Sequence, residues 1–299
     1  MVCLKLAGSL SLSRHPNAAS PNSTLMQSTL VGRKIIGLIA GNRKFPFLFA
    51  RAARDQGYQI VAAGIVGDTF PLLFFSVDKF KYFKVGELKK LFEYFHKNSV
   101  SEVIMAGQVN QDNLFNPAVK LDEEFQVLSD ALRDRKADTI FSAVADRLNK
   151  EGMTLLDSTF LLKKYLAPRG TLTKRGPSES ELKDVEFGLN IAKLVGGIDI
   201  GQTVVIKEKA IVAIEAMEGT DNAIARGGEI ARTGAVVVKT SKPAQDNRFD
   251  VPVIGPKTIQ IMTRVKASCL AIEAGKTLII DREKTVSLAN KAGICLVAA

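Results

Sequence analysis

Apolar and polar positions in the first half of the chain repeat in the order strand, turn, helix, strand. Short apolar runs predict buried strands in four places: 34–40, 58–66, 80–85 and 102–106. Between them, apolar residues recur at helical spacing over 46–57 and 86–96. Strands that alternate with helices build parallel sheets with right-handed crossovers. This half therefore predicts a Rossmann-like parallel sheet.

Helical spacing continues over 122–165, with a break at Gly152. The segment 167–177 then holds two prolines, two glycines and three basic residues, which is typical of a linker. Directly after it, Ser178 and Glu181 have the spacing of a capping box that opens a helix. A change of domain is therefore predicted at this linker.

The second half predicts another α/β unit. A hairpin over 202–215 precedes the remaining predicted elements, which are helices at 221–232, 256–266 and 283–291 and strands at 235–239, 277–280 and 294–297. The predicted organisation is an extension over 1–33, a Rossmann-like domain over 34–166, the linker, and a mixed α/β domain with the catalytic groups over 178–299.

The N-terminal 30 residues are rich in serine and contain no aspartate or glutamate. This composition is typical of a disordered extension or of an organelle transit peptide. An upstream start codon is a third interpretation, because Met26 is a second candidate start.

The net charge of +10 favours polyanionic partners, but on charge alone a solvated basic surface with no specific partner is the preferred interpretation. The basic residues are scattered and no aromatic stacking motif accompanies them, so no nucleic-acid partner is predicted. No apolar run reaches the ~18 residues of a membrane span. Cys3, Cys269 and Cys295 form no close-spaced pair, which argues against zinc and against a disulfide framework. The latter two cysteines are expected in the core.

The most informative segment lies around Gly219, where a predicted strand meets a predicted helix. Glu215, Glu218 and Asp221 lie within seven residues, and Thr220 or Asp221 can cap the helix. Carboxylates at a turn suit Mg²⁺, and a helix N-terminus favours phosphate. The simpler interpretation is an aspartate cap with two solvated glutamates.

A second cluster follows the predicted strand that ends at Lys239. Cations in this cluster are candidates to bind phosphate and Asp246 is a candidate metal ligand, whereas a solvated loop is the alternative. The candidate phosphate and substrate ligands are Lys239, Lys242, Gln245, Arg248 and, beside the proline that opens the next helix, Lys257. In the first half, Gly41 and Asn42 form either a tight turn or an anion site at a strand end.

Five pieces of sequence together resemble the UDP-2,3-diacylglucosamine pyrophosphatase family of the LpxI type. They are IGLIAGNRKFP (36–46), EVIMAGQV (102–109), DIGQTVVI (199–206), AIEAMEGTDNAI (213–224) and KPAQDNRFDVPVIGPKT (242–258). EGTD and QDNRFDVPVIGPKT are the specific ones. The resemblance covers about residues 34–299. The chain departs from the family pattern at Arg43-Lys44, where a further glycine is common, and at 110–112, where a basic residue is common.

The resemblance implies a hydrolase of lipid A biosynthesis in the cytoplasm, or in an organelle if residues 1–33 are a transit peptide. Its substrate would be UDP-2,3-diacylglucosamine, its cofactor Mg²⁺, and its products UMP and 2,3-diacylglucosamine 1-phosphate (lipid X). The family has two domains with the lipid product between them. Peripheral contact with the inner membrane face and a homodimer are left open. The alternative is a non-catalytic protein that binds a nucleotide sugar or an acyl lipid.

By its EGTD motif, the resemblance places the essential aspartate of the family at Asp221. We hypothesise that Asp221 binds the metal, together with Asp246, or orients water, with support from Glu218 and Thr220. Gly219 and the cations of the second cluster would bind substrate, and Gly41 and Asn42 would contact it from the other domain. The phenylalanine-rich segment 70–75 is expected to line a groove for acyl chains.

Overall fold

A computed structural model of the protein describes residues 33–109, 120–132 and 137–299. At 137 and 138 it describes the backbone only. Residues 34–299 form one compact unit. The predicted extension up to residue 32 and the sequence departure at 110–112 lie outside the described residues. Within the described ranges, no helix is both long and apolar enough to cross a bilayer.

The first sheet is parallel and has five strands in the order β3-β2-β1-β4-β5. The strands are β1 Ile35–Ala40, β2 Gln59–Ile65, β3 Lys79–Phe83, β4 Glu102–Ala106 and β5 Thr154–Leu155. The helices are α1 Phe45–Asp55, α2 Leu88–Lys97, α3 Glu123–Asp130 and α4 Ala137–Lys150. The predicted Rossmann-like architecture is confirmed, and its strand order reverses between β1 and β4.

Both faces of this sheet are covered, which explains the continuous apolar runs of its strands. Ile36 and Leu38 pack on the side of α1, whereas Ile35 and Ile39 pack on the side of α2. The stripe that predicted α2 is buried as a unit and consists of Leu88, Leu91, Phe92 and Phe95. Helix packing on both sides therefore fixes the carboxyl edge of the sheet.

The helix predicted to continue to residue 165 is wrong beyond Gly152. Gly152 takes a φ of 75°, a left-handed conformation that ends α4. Met153 and Leu155 are then buried against the sheet, and β5 pairs with β4. A short 3-10 helix, Lys163–Tyr165, follows. The apolar residues after Gly152 belong to an edge strand and its return, which helical spacing did not separate from a helix.

The second sheet is mixed and has six strands in the order β6-β13-β11-β9-β7-β8. Its strands are β6 Gly170–Thr171, β7 Thr203–Lys207, β8 Ala210–Ile214, β9 Val236–Lys239, β11 Cys269–Ile272 and β13 Cys295–Ala298. Its helices are α5 Glu179–Gly197, α6 Gly219–Ala231, α7 Pro256–Arg264 and α8 Arg282–Lys291. Two short strands, β10 Val253–Ile254 and β12 Leu278–Ile279, pair in parallel beside it.

The hairpin and the capping box predicted for this half are both present. Cys269 and Cys295 are free, buried and opposite each other in register, as expected for core residues. The pattern did not predict β11, although all four of its residues are buried. The predicted linker is partly built into the sheet, because β6 pairs antiparallel with β13.

One loop of the second half packs against the first half. The Phe249 ring lies 5.6 Å from the Phe141 ring, and the Ser158 N–H donates to the Asn247 carbonyl over 2.8 Å. Leu278 and Val253 contribute to the core that lies under α1. The specific QDNRFDVPVIGPKT segment therefore forms part of the contact between the two halves.

Candidate active site

Polar side chains gather at the carboxyl edge of the second sheet. β9 ends there at Lys239, and antiparallel β7 begins there with Thr203 opposite it. β8 returns to the same edge at Ile214, so Glu215 follows directly. The strand pattern thus brings together one lysine, one threonine and one glutamate from three strands.

Lys239 is the buried cation of this group. Its side chain is 4% exposed, and its Nζ lies 2.7 Å from Thr220 Oγ1 and 3.5 Å from Thr203 Oγ1. Thr220 donates in turn to Glu215 Oε1 over 2.8 Å. Among the described residues, Lys239 has no ion pair, and its two side-chain hydrogen-bond partners are hydroxyl groups. A buried cation without a counter-ion is a strong attractor for an anion.

Asp221 lies next to this chain of hydrogen bonds, in the first turn of α6. The turn begins at Gly219, whose φ of 78° suits glycine. Asp221 Oδ2 lies 2.9 Å from Lys257 Nζ and 3.1 Å from Arg43 Nη1. This oxygen is buried, and neither contact has the angles of a hydrogen bond. Asp221 is therefore paired by charge alone, with cations that a ligand can draw away.

The two cations come from different halves of the protein. Lys257 lies in the first turn of α7, and Arg43 lies in the turn between β1 and α1. Their side chains are 68% and 53% exposed, against 13% for Asp221. Lys44 beside Arg43 pairs with Asp281 at the N-terminus of α8. The turn after β1 is thus held to the second half by two ion pairs.

Sequence reasoning missed Arg43 as a site residue. It noted Arg43-Lys44 only as a departure from the family pattern, and consecutive cations at a strand end were the available signal. Arg43 takes a φ of 67°, a left-handed conformation that is uncommon outside glycine. That conformation belongs to the turn that directs its side chain to Asp221.

Gly41 and Asn42 lie at the switch point of the first sheet. Their N–H groups donate to the carbonyls of Ala106 and Gln108 over 2.9 and 2.8 Å. A Cβ on Gly41 would come within 2.5 Å of the Gln108 carbonyl oxygen, so only glycine fits there. The backbone groups considered for an anion are therefore bonded to β4 and the loop that follows it. Asn42 Oδ1 is buried and accepts no hydrogen bond from the residues that the structure describes.

Glu218 faces its own helix and not Asp221. It accepts from Arg226 Nη2 over 2.6 Å and from the Ala216 N–H over 3.1 Å. The hydrogen bond from Arg226 lowers the pKa of Glu218 below its usual range. These contacts stabilise the bend around Gly219.

Lys242 and Gln245 hold the loop after β9 in place. Lys242 Nζ lies 2.6 Å from Asp199 and 3.5 Å from Asp250. Gln245 accepts from the Lys242 N–H and donates to the Asp250 carbonyl. Both predicted substrate ligands therefore have structural partners in the loop itself.

Asp246 and Arg248 bind each other. Arg248 Nη2 donates to Asp246 Oδ2 over 2.7 Å, and its Nε contacts both carboxylate oxygens. The hydrogen bond from Arg248 lowers the pKa of Asp246. Each member of the pair, predicted separately as a phosphate ligand and a metal ligand, neutralises the other.

A further charged network fixes the chain directly after Lys239. Ser241 donates from its N–H and its hydroxyl to Glu273, which also pairs with Lys193 over 2.6 Å. Burial raises the pKa of Glu273, but hydrogen bonds from Lys193, Lys276 and Ser241 outweigh it and lower the pKa to about 2. Sequence spacing did not reveal this network, because its members lie on separate elements.

No group of three or more histidine, cysteine, aspartate or glutamate side chains suited to a metal occurs in the parts of the chain that the structure describes. Two buried carboxylate oxygens there lack a hydrogen-bond donor, Glu215 Oε2 and Asp221 Oδ2. Any metal at this edge would therefore take only one or two protein ligands.

Comparison with solved structures gives distant similarities only. An ADP complex of the N5-carboxyaminoimidazole ribonucleotide synthetase purK is 14% identical, with a TM-score of 0.25, over 58% of this chain and 32% of that one. The biotin carboxylase domain of Hydrogenobacter thermophilus 2-oxoglutarate carboxylase is 12% identical, with a TM-score of 0.26, over 66% of this chain and 41% of that one. The chain thus spans less than half the length of either, and neither similarity carries an argument.

Comparison with protein families and curated proteins is more specific. A curated protein named UDP-2,3-diacylglucosamine pyrophosphatase LpxI, from Caulobacter vibrioides, is 29% identical over 271 residues, or 87% of this chain and 95% of that protein. The family model of the LpxI N-terminal domain matches residues 35–165, and that of the LpxI C-terminal domain matches residues 168–297. The chain therefore belongs to the LpxI family.

Proposed function

We propose that this protein hydrolyses the pyrophosphate bond of UDP-2,3-diacylglucosamine, and that it releases UMP and 2,3-diacylglucosamine 1-phosphate in lipid A biosynthesis. As a member of the LpxI family, it is a hydrolase of the pyrophosphatase class. The observation that carries the proposal is the pairing of Asp221 with Arg43 and Lys257, directly beside Thr220, which accepts from Lys239. We place the reaction in the cytoplasm, or in an organelle if residues 1–33 are a transit peptide.

The three cations suit a diphosphate. A pyrophosphate repels nucleophiles by its negative charge, and positive groups around it remove that repulsion. Arg43 and Lys257 are exposed enough to turn from Asp221 to phosphate oxygens. Lys239 is held in place by Thr220 and forms no ion pair with any carboxylate in the described part of the chain. The site therefore provides two mobile cations and one fixed cation.

Asp221 is the group best placed to handle a proton. In the structure, its Oδ2 is paired with Arg43 and Lys257. Once phosphate oxygens attract these cations, the carboxylate can accept a hydrogen bond from water and orient it for in-line attack. Thr220, held between Glu215 and Lys239, fixes the first turn of α6 and with it the position of Asp221.

Mg²⁺ fits this arrangement as a bound cofactor. Mg²⁺ usually keeps several waters and binds through one or two carboxylates and the phosphates of the substrate. Among the described residues, Asp221 Oδ2 and Glu215 Oε2 are buried oxygens that accept no hydrogen bond, whereas Asp246 is neutralised by Arg248. We infer that Asp221 would hold the ion and that Asp246 would not. The ion, when bound, would withdraw charge from the bridging and terminal oxygens of the diphosphate.

The test is a turnover assay with purified protein and UDP-2,3-diacylglucosamine, in which UMP is measured with Mg²⁺ and with EDTA. We expect UMP with Mg²⁺ and little without it. The alternative, a protein that only binds the nucleotide sugar or an acyl lipid, predicts saturable binding with no UMP under either condition.

A further inference from the structure

An apolar surface stands out at the outer edge of the first sheet. A 3-10 helix, Pro71–Ser76, connects β2 to the edge strand β3. We define the 70–75 patch by its exposed side chains: Phe70 at 50%, Leu72 at 67%, Phe74 at 57% and Phe75 at 75%. Large apolar side chains that are exposed together mark an interaction surface more often than they occur by accident.

The 70–75 patch is displayed by the fold and is not a poorly packed loop. Leu73, in its middle, is fully buried and fastens the helix to the core under α1. Phe74 makes edge-to-face contacts with Phe75 and Phe80, at centroid distances of 5.3 and 6.4 Å. One buried anchor therefore holds a set of outward-facing rings. The groove expected for segment 70–75 stays a prediction: Phe70 and Pro71 line an apolar recess, whereas Leu72, Phe74 and Phe75 are exposed.

The patch borders a recess of the same character. Phe70 and Tyr82 line an apolar cavity of about 510 Å³ at the carboxyl end of β2, together with Val66 and Gly67. Val66 and Tyr82 are themselves 49% and 38% exposed. The apolar surface thus continues from the patch toward the edge of the sheet that carries Arg43.

Lysines border the patch along the edge strand. Lys79, Lys81 and Lys84 are exposed, and among the described strands β3 pairs only with β2. Lys81 Nζ lies 5.3 Å from the centre of the Phe83 ring, on the opposite face of the strand from Phe80. Lys79 and Lys81 therefore share a face of β3 with buried Phe83, opposite to Phe80 and Tyr82, and both faces adjoin the open edge of the strand. A flat partner that approaches this edge would contact both.

We propose that the 70–75 patch and the three edge lysines dock the protein on an anionic phospholipid bilayer. Aromatic and leucine side chains insert at the membrane interface, and nearby lysines are attracted to anionic headgroups. Either contribution alone gives weak binding, and the two together give reversible docking. The inference rests on the proposed function in one respect: a substrate with two acyl chains resides in a membrane, and docking would bring the site to it.

A second copy of the chain fits this surface less well. Pairing two β3 edges would extend the sheet, but it would also bring two rows of lysines together. Like charges across paired strands are destabilising, and edge lysines are a common device against such pairing. Charge complementarity therefore favours an anionic bilayer over self-association.

The test is co-sedimentation of the full chain with two kinds of vesicle, phosphatidylcholine alone and phosphatidylcholine mixed with phosphatidylglycerol. We expect binding to the mixed vesicles and weak binding to the neutral ones. The triple variant Leu72→Ser, Phe74→Ser, Phe75→Ser should weaken binding at least tenfold. The triple variant Lys79→Gln, Lys81→Gln, Lys84→Gln should lose about fivefold per lysine on the mixed vesicles only.

The matched apolar control is Leu194→Ser with Ile230→Ser, since these residues are 68% and 62% exposed on helices of the second sheet. This control should bind vesicles as the unchanged protein does. Absence of vesicle binding by the unchanged protein would overturn the proposal, and so would unchanged binding by the patch variant. A patch variant that changes the oligomeric state in light scattering, with no change on vesicles, would assign the surface to a second copy.

A separate assay keeps this proposal apart from the proposed function. With substrate dispersed in detergent, the patch variant should release UMP at the unchanged rate, because the 70–75 patch touches none of the proposed catalytic groups. If no UMP forms with any variant, the proposed function fails while vesicle binding is still decided by sedimentation.

Discussion

The carboxyl edges of the two sheets differ: backbone hydrogen bonds fill the first, and buried polar side chains fill the second. In the first sheet, the loops after β1 and β4 bond to each other through backbone groups, and a glycine at Gly41 lets them touch. In the second sheet, buried Lys239, Thr203 and Glu215 occupy the corresponding edge. A crevice at the switch point is the usual ligand site of a parallel sheet, and here backbone hydrogen bonds cross it.

This difference indicates that the two halves contribute different groups to the proposed active site. The first half contributes a rigid turn that directs Arg43 toward the second half, and the second half contributes the buried charges and the carboxylate. Substitutions at the edge of the second sheet are therefore expected to lower the rate of UMP release strongly. Substitutions at the edge of the first sheet are expected to lower it less.

The largest expected effect is at Asp221. Asp221→Asn keeps the shape but removes the charge and the basic oxygen, so UMP release should fall by about 10²–10⁴-fold. Glu218→Gln is the matched control, because Glu218 pairs with Arg226 on its own helix and should stay within a few-fold of the unchanged rate. Equal losses in both variants would mean that the bend, and not Asp221, matters.

Lys239→Met should have the next largest effect. The variant removes the fixed cation while it keeps most of the volume, and one preorganised charge of this kind is typically worth about 10²–10³-fold in rate. The loss should appear mainly in kcat, with a folded circular dichroism spectrum. A large rise in KM with kcat unchanged would show that Lys239 contributes only to substrate binding.

Arg43→Ala should act more mildly and through binding. Arg43 is half exposed and can be replaced in part by solvent, so kcat/KM should fall about tenfold. Lys44→Ala is the neighbouring control, since Lys44 pairs with Asp281 and not with Asp221. If the two alanine variants lose equal activity, the turn holds the halves together and Arg43 has no separate role.

The smallest effect on activity is expected at Glu181, which supports the second half far from the site. Burial raises the pKa of Glu181, but hydrogen bonds from Arg175 and the Ser178 N–H outweigh it and lower the pKa to about 2. A carboxyl with a lowered folded pKa stabilises the fold above its unfolded pKa of about 4.3, and this contribution disappears as pH falls toward 2.

Glu181→Gln should therefore cost about 1–3 kcal/mol in urea unfolding at pH 7, with a smaller difference at pH 3. The surface variant Glu179→Gln is the control, because its pair with Lys183 is exposed and should be worth under about 1 kcal/mol. A difference for Glu181→Gln that does not shrink at low pH would contradict the charged pairing with Arg175.

Much of the fold could be predicted from the sequence because its strands are buried on both faces and separated by clear turns. Prediction failed at 153–165, where a short strand had the apolar spacing of a helix. It also failed at β11, because an apolar run of four residues was not recognised as a strand. The pairing of β6 with β13 joins residues far apart in the chain, so no local pattern could reveal it.

The candidate site was predictable only in part. The density of carboxylates around Gly219 indicated Asp221, which the structure places against two cations. The loop after β9 looked like a set of ligands, but Asp246 and Arg248 satisfy each other. Local sequence shows which charges are present, whereas their pairing depends on contacts between elements. Arg43 is the clearest example, since its partner lies in the other half.

The most direct measurement is a crystal structure of Asp221→Asn with UDP-2,3-diacylglucosamine and Mg²⁺. The account predicts the diphosphate between Asn at this position and Lys239, with Arg43 and Lys257 turned onto its oxygens. A diphosphate bound elsewhere, with the Gly219 bend facing open solvent, would contradict it.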